Sequence, residues 1–292
     1  MKTIIFTCKT VTPLVMNGPY GDFPELRAPG IKASLRFWWR ALHGHLSLDQ
    51  LREQEGRVFG NTKGRSKVLI RVVESISDDR KEKTSLLPHK GGSEVLGYTS
   101  GETFKVRLDF KEDVISTEKI KSLFIIACTL SGWGKRSRRG FGSVVVTEVN
   151  GLACTSLTTI NDVLAHLEHI VPSKHRISGN QIESTHVSQS SRDDYPKLWK
   201  IEIGNNRRSL RDIGQATHDV MSDRMPQKLN YKYSLGAGSP RFASPVVVSI
   251  LENGNPILTT LKSPPPRITR KDQEAGATPA PRLQDELIKK IL

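Results

Sequence analysis

Thirteen consecutive residues, Ser131 to Ser143 (SGWGKRSRRGFGS), hold four glycines and four cations and no carboxylate. Gly132, Gly134, Gly140 and Gly142 lack a Cβ, so they permit positive φ and let a ligand approach the main chain, whose N–H groups bond phosphate oxygens. Lys135, Arg136, Arg138 and Arg139 add long-range attraction for an anion. No acidic residue stands between Glu118 and Glu148, so nothing nearby in the chain cancels that field. The chemistry this favours is capture of a phosphate-bearing ligand. Two nucleotide loops are excluded by spacing. A Walker loop needs Gly-Lys-Ser/Thr, and here Lys135 precedes Arg136. A dinucleotide fingerprint needs GxGxxG after a strand, whereas this stretch lies between an expected helix and an expected strand. Extended polyphosphate, RNA or DNA, remains. Phe141 suits stacking on a base as well as it suits packing.

A second cationic group lies in IKASLRFWWRALHG. Ile31, Leu35, Trp38, Trp39 and Leu42 form one helical stripe, and Lys32, Arg36, Arg40 and His43 form another. Lys32, Arg36 and Arg40 are read as assisting backbone capture, and the two tryptophans as core. His43 and His45 are the candidates for the general acid or base of a metal-independent ribonuclease; at a helix C-terminus the dipole favours the imidazolium. His166 and His169 are spaced i, i+3 without a matching carboxylate–histidine motif, so no metal site is expected there. The pairs His218-Asp219 and Asp193-Asp194 read as unremarkable surface sequence. Cys8, Cys128 and Cys154 form no CxxC pair, which argues against a zinc knuckle or a disulfide framework. No catalytic residue, metal or cofactor is expected.

The balance of 44 Lys+Arg against 30 Asp+Glu, a formal charge of +14, calls for a polyanionic partner. The longest charge-free apolar stretch, Leu123 to Gly134, is too short to span a bilayer. Lys2 and Lys9 bracket a short apolar segment with no cleavage-like site after it, so no signal peptide and a cytoplasmic location are expected.

The elements that must position these residues read in order. Thr3 to Leu14 is a β-branched strand closed by Pro13, followed by the helix above; Lys67 to Glu74 and Glu102 to Phe110 are strands around a polar insertion. A helix over Thr117 to Thr129 then enters the glycine-rich loop, and Ser143 to Val149 is a strand. This β-α-β-β-α-β order is ferredoxin-like. In the second half the same elements recur in part. TINDVLAHLEHI reads as a helix, Ser178 to Lys197 as a polar loop, Leu198 to Ile203 as a strand and Ser209 to Met221 as a helix. Two apolar runs around Asn253-Gly254 signal a hairpin. The expected architecture is an α+β chain of tandem ferredoxin-like (RRM-like) domains, 1–150 with the glycine-rich loop 131–143, and a more divergent 151–292. The latter contains a Pro-rich linker, 263–282, and a C-terminal helix.

Four stretches in order carry a resemblance: the N-terminal strand with its loop, APGIKASLRFWWRAL, VFGNTKGRSKVLIRV and GWGKRSRRGFGS. Together they resemble the RAMP superfamily, which builds the RNA-guided complexes of CRISPR systems. The pairing of SLRFWWRAL with GKRSRRGFGS, with SPRFASPVVVSI later, is similar to the subunit-one family of the type III-B (Cmr) effector complex. The resemblance implies a non-catalytic RNA-binding subunit in antiviral defence, contacting guide or target RNA near the 3′ end of the CRISPR RNA, with CRISPR RNA, target RNA and the other complex subunits as partners. The alternatives are a RAMP endoribonuclease acting through His43 or His45, and a protein adaptor whose basic loop docks on acidic neighbours. Two features depart from the pattern: no closing strand is recognisable after the C-terminal helix, and the insertion from Ser75 to Gly101 matches no motif.

Overall fold

A computed structural model describes the chain except residues 19, 20, 22, 93, 188–194, 223–233, 237–241 and 265–281. In β1 (Lys2–Thr10), Ile4, Phe6 and Cys8 alternate onto one buried face, the period a half-buried strand requires. α1 (Ala28–Leu42) has Pro29 in its first turn, where a missing N–H costs nothing, and buries Ile31, Leu35, Trp38, Trp39 and Leu42. α2 (Leu48–Phe59) was not anticipated. It opens on a capping box in which Ser47 and Gln50 satisfy each other's backbone N–H groups.

β2 (Val68–Glu74) leads into the insertion, which is a hairpin of β3 (Lys81–Ser85) and β4 (Glu94–Tyr98) rather than an unstructured loop. β5 (Thr103–Phe110), α3 (Thr117–Leu130), β6 (Val144–Val149) and the short β7 (Leu152–Ala153) complete the first sheet. Its order, β2-β5-β1-β6-β7, is the ferredoxin-like arrangement with β7 added outside. Phe6 stacks on Phe124 of α3 at 4.1 Å between ring centroids.

α4 (Ile160–Ile170) packs on α3 and leads to β8 (His175–Ser178), β9 (Gln181–Ser184) and β10 (Lys197–Ile203). α5 (Leu210–Ser222), β11 (Val246–Ile250), β12 (Pro256–Lys262) and α6 (Arg282–Ile291) follow. The second sheet is ordered β11-β12-β10-β9-β8. Here β10, β11 and β12 hold the first three ferredoxin positions, and the fourth, beside β10, is filled by β9 from earlier in the chain. That accounts for the absent closing strand and corrects the polar-loop reading of Ser178 to Lys197: Gln181–Glu183 pairs with Lys200–Glu202, while Ser188–Asp194 lie outside the described residues. The fold is a tandem ferredoxin-like α+β arrangement. The stretch 265–281, most of the Pro-rich segment, is likewise outside the described residues.

The two sheets share a core. One cluster runs from Ile4 and Phe6 through α1 and α3 to Leu198, Ile201, Ile257 and Leu261. The other face of the second sheet buries Val246, Val248 and Leu258 against Ile213 of α5 and Leu283 and Leu287 of α6. β11 therefore sends Val247 one way and its neighbours the other, as a strand covered on both faces must.

Candidate nucleic-acid interface

The glycine-rich loop joins α3 to β6 and folds back on itself. Trp133 N–H donates to the Gly142 carbonyl at 2.9 Å, and Gly132 N–H donates to the Ser137 carbonyl at 3.1 Å. A Cβ on Gly132 would run into the Phe141 carbonyl, and one on Gly142, at φ 64°, into the Trp133 carbonyl. Those glycines let two limbs of the loop pass closer than any side chain allows. Gly142 N–H donates to Pro13 O (2.9 Å), Lys135 N–H to Val15 O (2.7 Å) and Gly140 N–H to Val248 O (2.9 Å). The N–H groups of Gly132, Lys135, Gly140 and Gly142 are thus spent inside the protein. The expectation that they bond phosphate is corrected accordingly. Phe141, 2% exposed, packs and does not present a face for stacking.

The four cations divide. The half-buried Arg139 donates through Nη1 to Arg138 O (2.8 Å) and Val246 O (3.0 Å), and through Nη2 to Leu235 O (2.8 Å). Burial, with the charges of Arg136 and Arg138, lowers its pKa to about 10, still far above neutrality. Arg138 donates to Ser244 O and lies over the Phe37 ring at 5.1 Å. Val248 N–H donates in turn to Arg138 O (3.2 Å), so this limb of the loop lines the edge of β11. Gly134, Lys135 and Arg136 are exposed. Arg136 adopts φ 57°, and among the described residues neither the Lys135 nor the Arg136 side chain has a hydrogen-bond or ion-pair partner.

The α1 cations stand elsewhere. Gly30, Ser34 and Phe37 of α1 face the loop across a cleft of about 290 Å³, and Trp38 Nε1 donates to Ser131 Oγ at 2.9 Å. Lys32 lines a different cleft, of about 280 Å³, against Leu69 to Arg71 of β2. Its pKa is lowered by burial and by the charge of Arg36. Arg36 Nε and Arg40 Nη1 both donate to Oε1 of Glu55, at 2.6 and 2.8 Å, on a side chain 8% exposed. One buried carboxylate of α2 therefore offsets part of the charge of that face. Lys32, Arg36 and Arg40 are not gathered with the loop cations into one cleft.

His43 packs against Trp39, ring centroids 4.1 Å apart, with Nδ1 2.7 Å from the Trp39 carbonyl. Burial drives its pKa down to about 3, which overrides the helix dipole that favours the imidazolium. His45 is exposed, 5.4 Å between ring centroids from His186, which lies 6.1 Å from the buried His175. Among the described residues no group of three or more His, Cys, Asp and Glu side chains is arranged to hold a metal ion. Residues the sequence reading passed over include Glu55, whose helix the Ser47–Gln50 capping signature marks, and Trp199. Trp199 sits at a bulge of β10 with Lys262 Nζ 3.9 Å and Lys200 Nζ 4.7 Å from its ring centroid.

Residues 7–145, which span β1 through the loop into β6, match the RAMP superfamily. Over 259 residues, 81% of this chain and 76% of the relative, the sequence is 26% identical to CRISPR system Cmr subunit Cmr1-1 of Pyrococcus furiosus. Over residues 7–145 the chain is similar to the RAMP superfamily, and over most of its length it resembles Cmr1. A second Pyrococcus furiosus relative, Cmr subunit Cmr1-2, is 27% identical over 185 residues, 50% of this chain and 96% of that protein. The chain superposes on the apo crystal structure of Pyrococcus furiosus Cmr1 with a TM-score of 0.62, covering 100% of this chain and 97% of that one at 19% identity. A chain of a type III-B Cmr-beta complex bound to cognate target RNA gives 0.57 at 11% identity, covering 99% of both. Among the described residues no helix is long and apolar enough to cross a membrane.

Proposed function

We propose that this protein is an RNA-binding subunit of a type III-B (Cmr) effector complex that holds the backbone of guide or target RNA near the 3′ end of the CRISPR RNA and does not cut it. The names of its curated relatives and its likeness in fold to a chain of an RNA-bound complex support the assembly. The observation that carries RNA contact is the pair Lys135 and Arg136, exposed and, among the described residues, without side-chain partners, on a loop whose two limbs are bonded to the protein. Gly134, where a Cβ would run into the Val15 carbonyl, seats the turn against the protein, and Arg138, Arg139, Gly132, Gly140 and Gly142 hold the pair in place. Lys32, Arg36 and Arg40 form a second, weaker cationic patch. The proposal includes a cytoplasmic location and a division of the chain near Gly151.

Contacts to phosphate carry no sequence information, so binding should depend strongly on salt and little on base. The test is a salt series with fluorescent single-stranded RNA on wild type and Lys135→Ala/Arg136→Ala. Losing two phosphate contacts should flatten the log–log salt slope by about 1.4. Between about 50 and 200 mM salt the wild type's advantage then shrinks about sevenfold. An unchanged affinity and slope overturns the site, and capture of partner subunits after ribonuclease treatment would then favour the adaptor. RNA incubated in EDTA should remain intact; cleavage abolished by His45→Ala would replace this reading with the nuclease.

A further inference from the structure

The insertion hairpin belongs to neither five-stranded sheet; β3 and β4 pair with each other. A lone two-stranded ribbon is marginal in water and needs a seat. Its base has one, because Leu14 and Tyr98 exchange both backbone hydrogen bonds at 2.9 Å. Its tip has another. A Cβ built on Gly214 of α5 stands 3.5 Å from the His89 Cβ, so the histidine rests where that helix has no side chain. The ring of His89 is 5.5 Å from that of His218, one turn further along α5.

These seats close a circuit around the exposed end of the glycine-rich loop. Lys135 N–H donates to Val15 O, and Val15 also meets β4, where a Cβ on Gly97 would stand 2.8 Å from its Cγ2. From β4 the hairpin runs out to His89 and α5. α5 returns to the loop, since a Cβ on Gly140 would stand 3.0 Å from both Ile213 and Leu210. Arg136 lies on this circuit. Its charge, after burial and the charges of His218 and Lys90, helps hold the His89 pKa below the ordinary value against the opposing pull of Asp219. The tip sequence LLPHKGG adds Lys90 and no acid. Asp219, the nearby carboxylate, is engaged by Gln215 at 2.6 Å and lies 3.6 Å from Lys290. A basic surface bounded by two segments, one lightly seated, is complementary to a flexible polyanion that enters between them.

We infer that the β3–β4 hairpin is the second jaw of the RNA site, closing over single-stranded RNA bound at Lys135 and Arg136 by seating His89 on α5. The inference rests on the RNA-binding reading of the loop. It adds His89 and Lys90 as contacts, and it requires the seat to open when RNA without a free end is to enter.

A disulfide tests this, because a Cβ–Cβ separation of 3.5 Å at His89 and Gly214 is within bridging range. His89→Cys/Gly214→Cys, with Cys154→Ser to remove the half-buried native thiol, would be assayed oxidised and reduced against linear and circular single-stranded RNA at low salt. The oxidised protein should fail to take up circular RNA and should release preloaded linear RNA about tenfold more slowly, both reversed by reductant. Equal uptake of circular RNA in the two redox states overturns the jaw while leaving the loop site standing. Wild type that binds neither RNA overturns both. Should the double-cysteine protein misfold, His89→Ala/Lys90→Ala is measured instead; it should speed RNA release with an unchanged thermal midpoint, and an unchanged release rate overturns the inference.

Discussion

Arg139 is the cation of the glycine-rich loop whose removal should be felt in stability rather than in binding. Its guanidinium serves three carbonyls, at 2.8, 3.0 and 2.8 Å, on its own loop, on β11 and on the segment before β11. A hydrogen bond from a charged donor contributes about 1.5–3 kcal/mol, and about 1 kcal/mol each is the fair figure for a residue partly open to water. Arg139→Ala should therefore cost about 3 kcal/mol, which for a chain of this size lowers the thermal midpoint by about 5 °C. Arg139→Lys keeps the charge but cannot present a planar fork, and should recover less than half of the loss. Arg136→Ala, with no side-chain partner to lose among the described residues, should melt within about 1 °C of wild type. Melting of the four proteins by circular dichroism at low salt checks this. An Arg139→Ala midpoint equal to that of wild type would show that the three carbonyls are equally well served by water, and the strut assigned to this limb of the loop would be wrong.

Other consequences can be measured on the same preparations. Glu55→Gln removes the carboxylate shared by Arg36 and Arg40; RNA affinity at low salt should rise severalfold if that face meets RNA, and a flat response removes Lys32, Arg36 and Arg40 from the site. Gly142→Ala places a side chain at φ 64° against the Trp133 carbonyl, so backbone strain of about 1–2 kcal/mol adds to a clash and the urea midpoint should drop; an unchanged midpoint refutes the close passage of the two limbs. His43 and His175 are buried and held near 3 against an ordinary 6.5. Between those values the unfolded chain binds more protons than the folded one, so stability is complete above the unfolded value and falls on acidification. The slope is about 1.4 kcal/mol per pH unit for each histidine, and a urea midpoint identical at about pH 7 and about pH 5 would contradict it.

The parts of the fold legible in the sequence are those with strong periodicity. The apolar stripe of α1 and the alternation of β1 each bury the side chains their spacing singles out. The Asn253-Gly254 turn sits where the hairpin signal puts it, with Gly254 at φ 89° between β11 and β12. β9 was not legible because its four residues, QIES, contain one apolar side chain, Ile182. Its place in the sheet is fixed by pairing with β10, and such long-range pairing leaves little local trace. The hairpin tip was opaque for a related reason. His89 matters through a glycine more than a hundred residues away, and neither residue is unusual where it stands.

The glycine-rich loop shows why a site can be found and its mechanism misread from one stretch of sequence. Glycine and arginine both serve two ends: glycine admits a phosphate or another peptide, and arginine binds phosphate oxygens or carbonyl oxygens. Sequence reports the capacity and not the partner. Here the partner is the protein itself for Arg138, Arg139, Gly132, Gly140 and Gly142, because the loop runs between two sheets that share one core and lines the edge of β11. Only the bend at Gly134 to Arg136 turns outward. A short exposed turn held by so many internal bonds loses little conformational entropy on meeting RNA, which allows two cations to act where a flexible basic tail would need more. Replacing Lys135 and Arg136 should therefore weaken RNA binding without unfolding the protein, whereas replacing Arg138 and Arg139 should do the reverse. A four-alanine variant would mix the two effects and could not tell them apart.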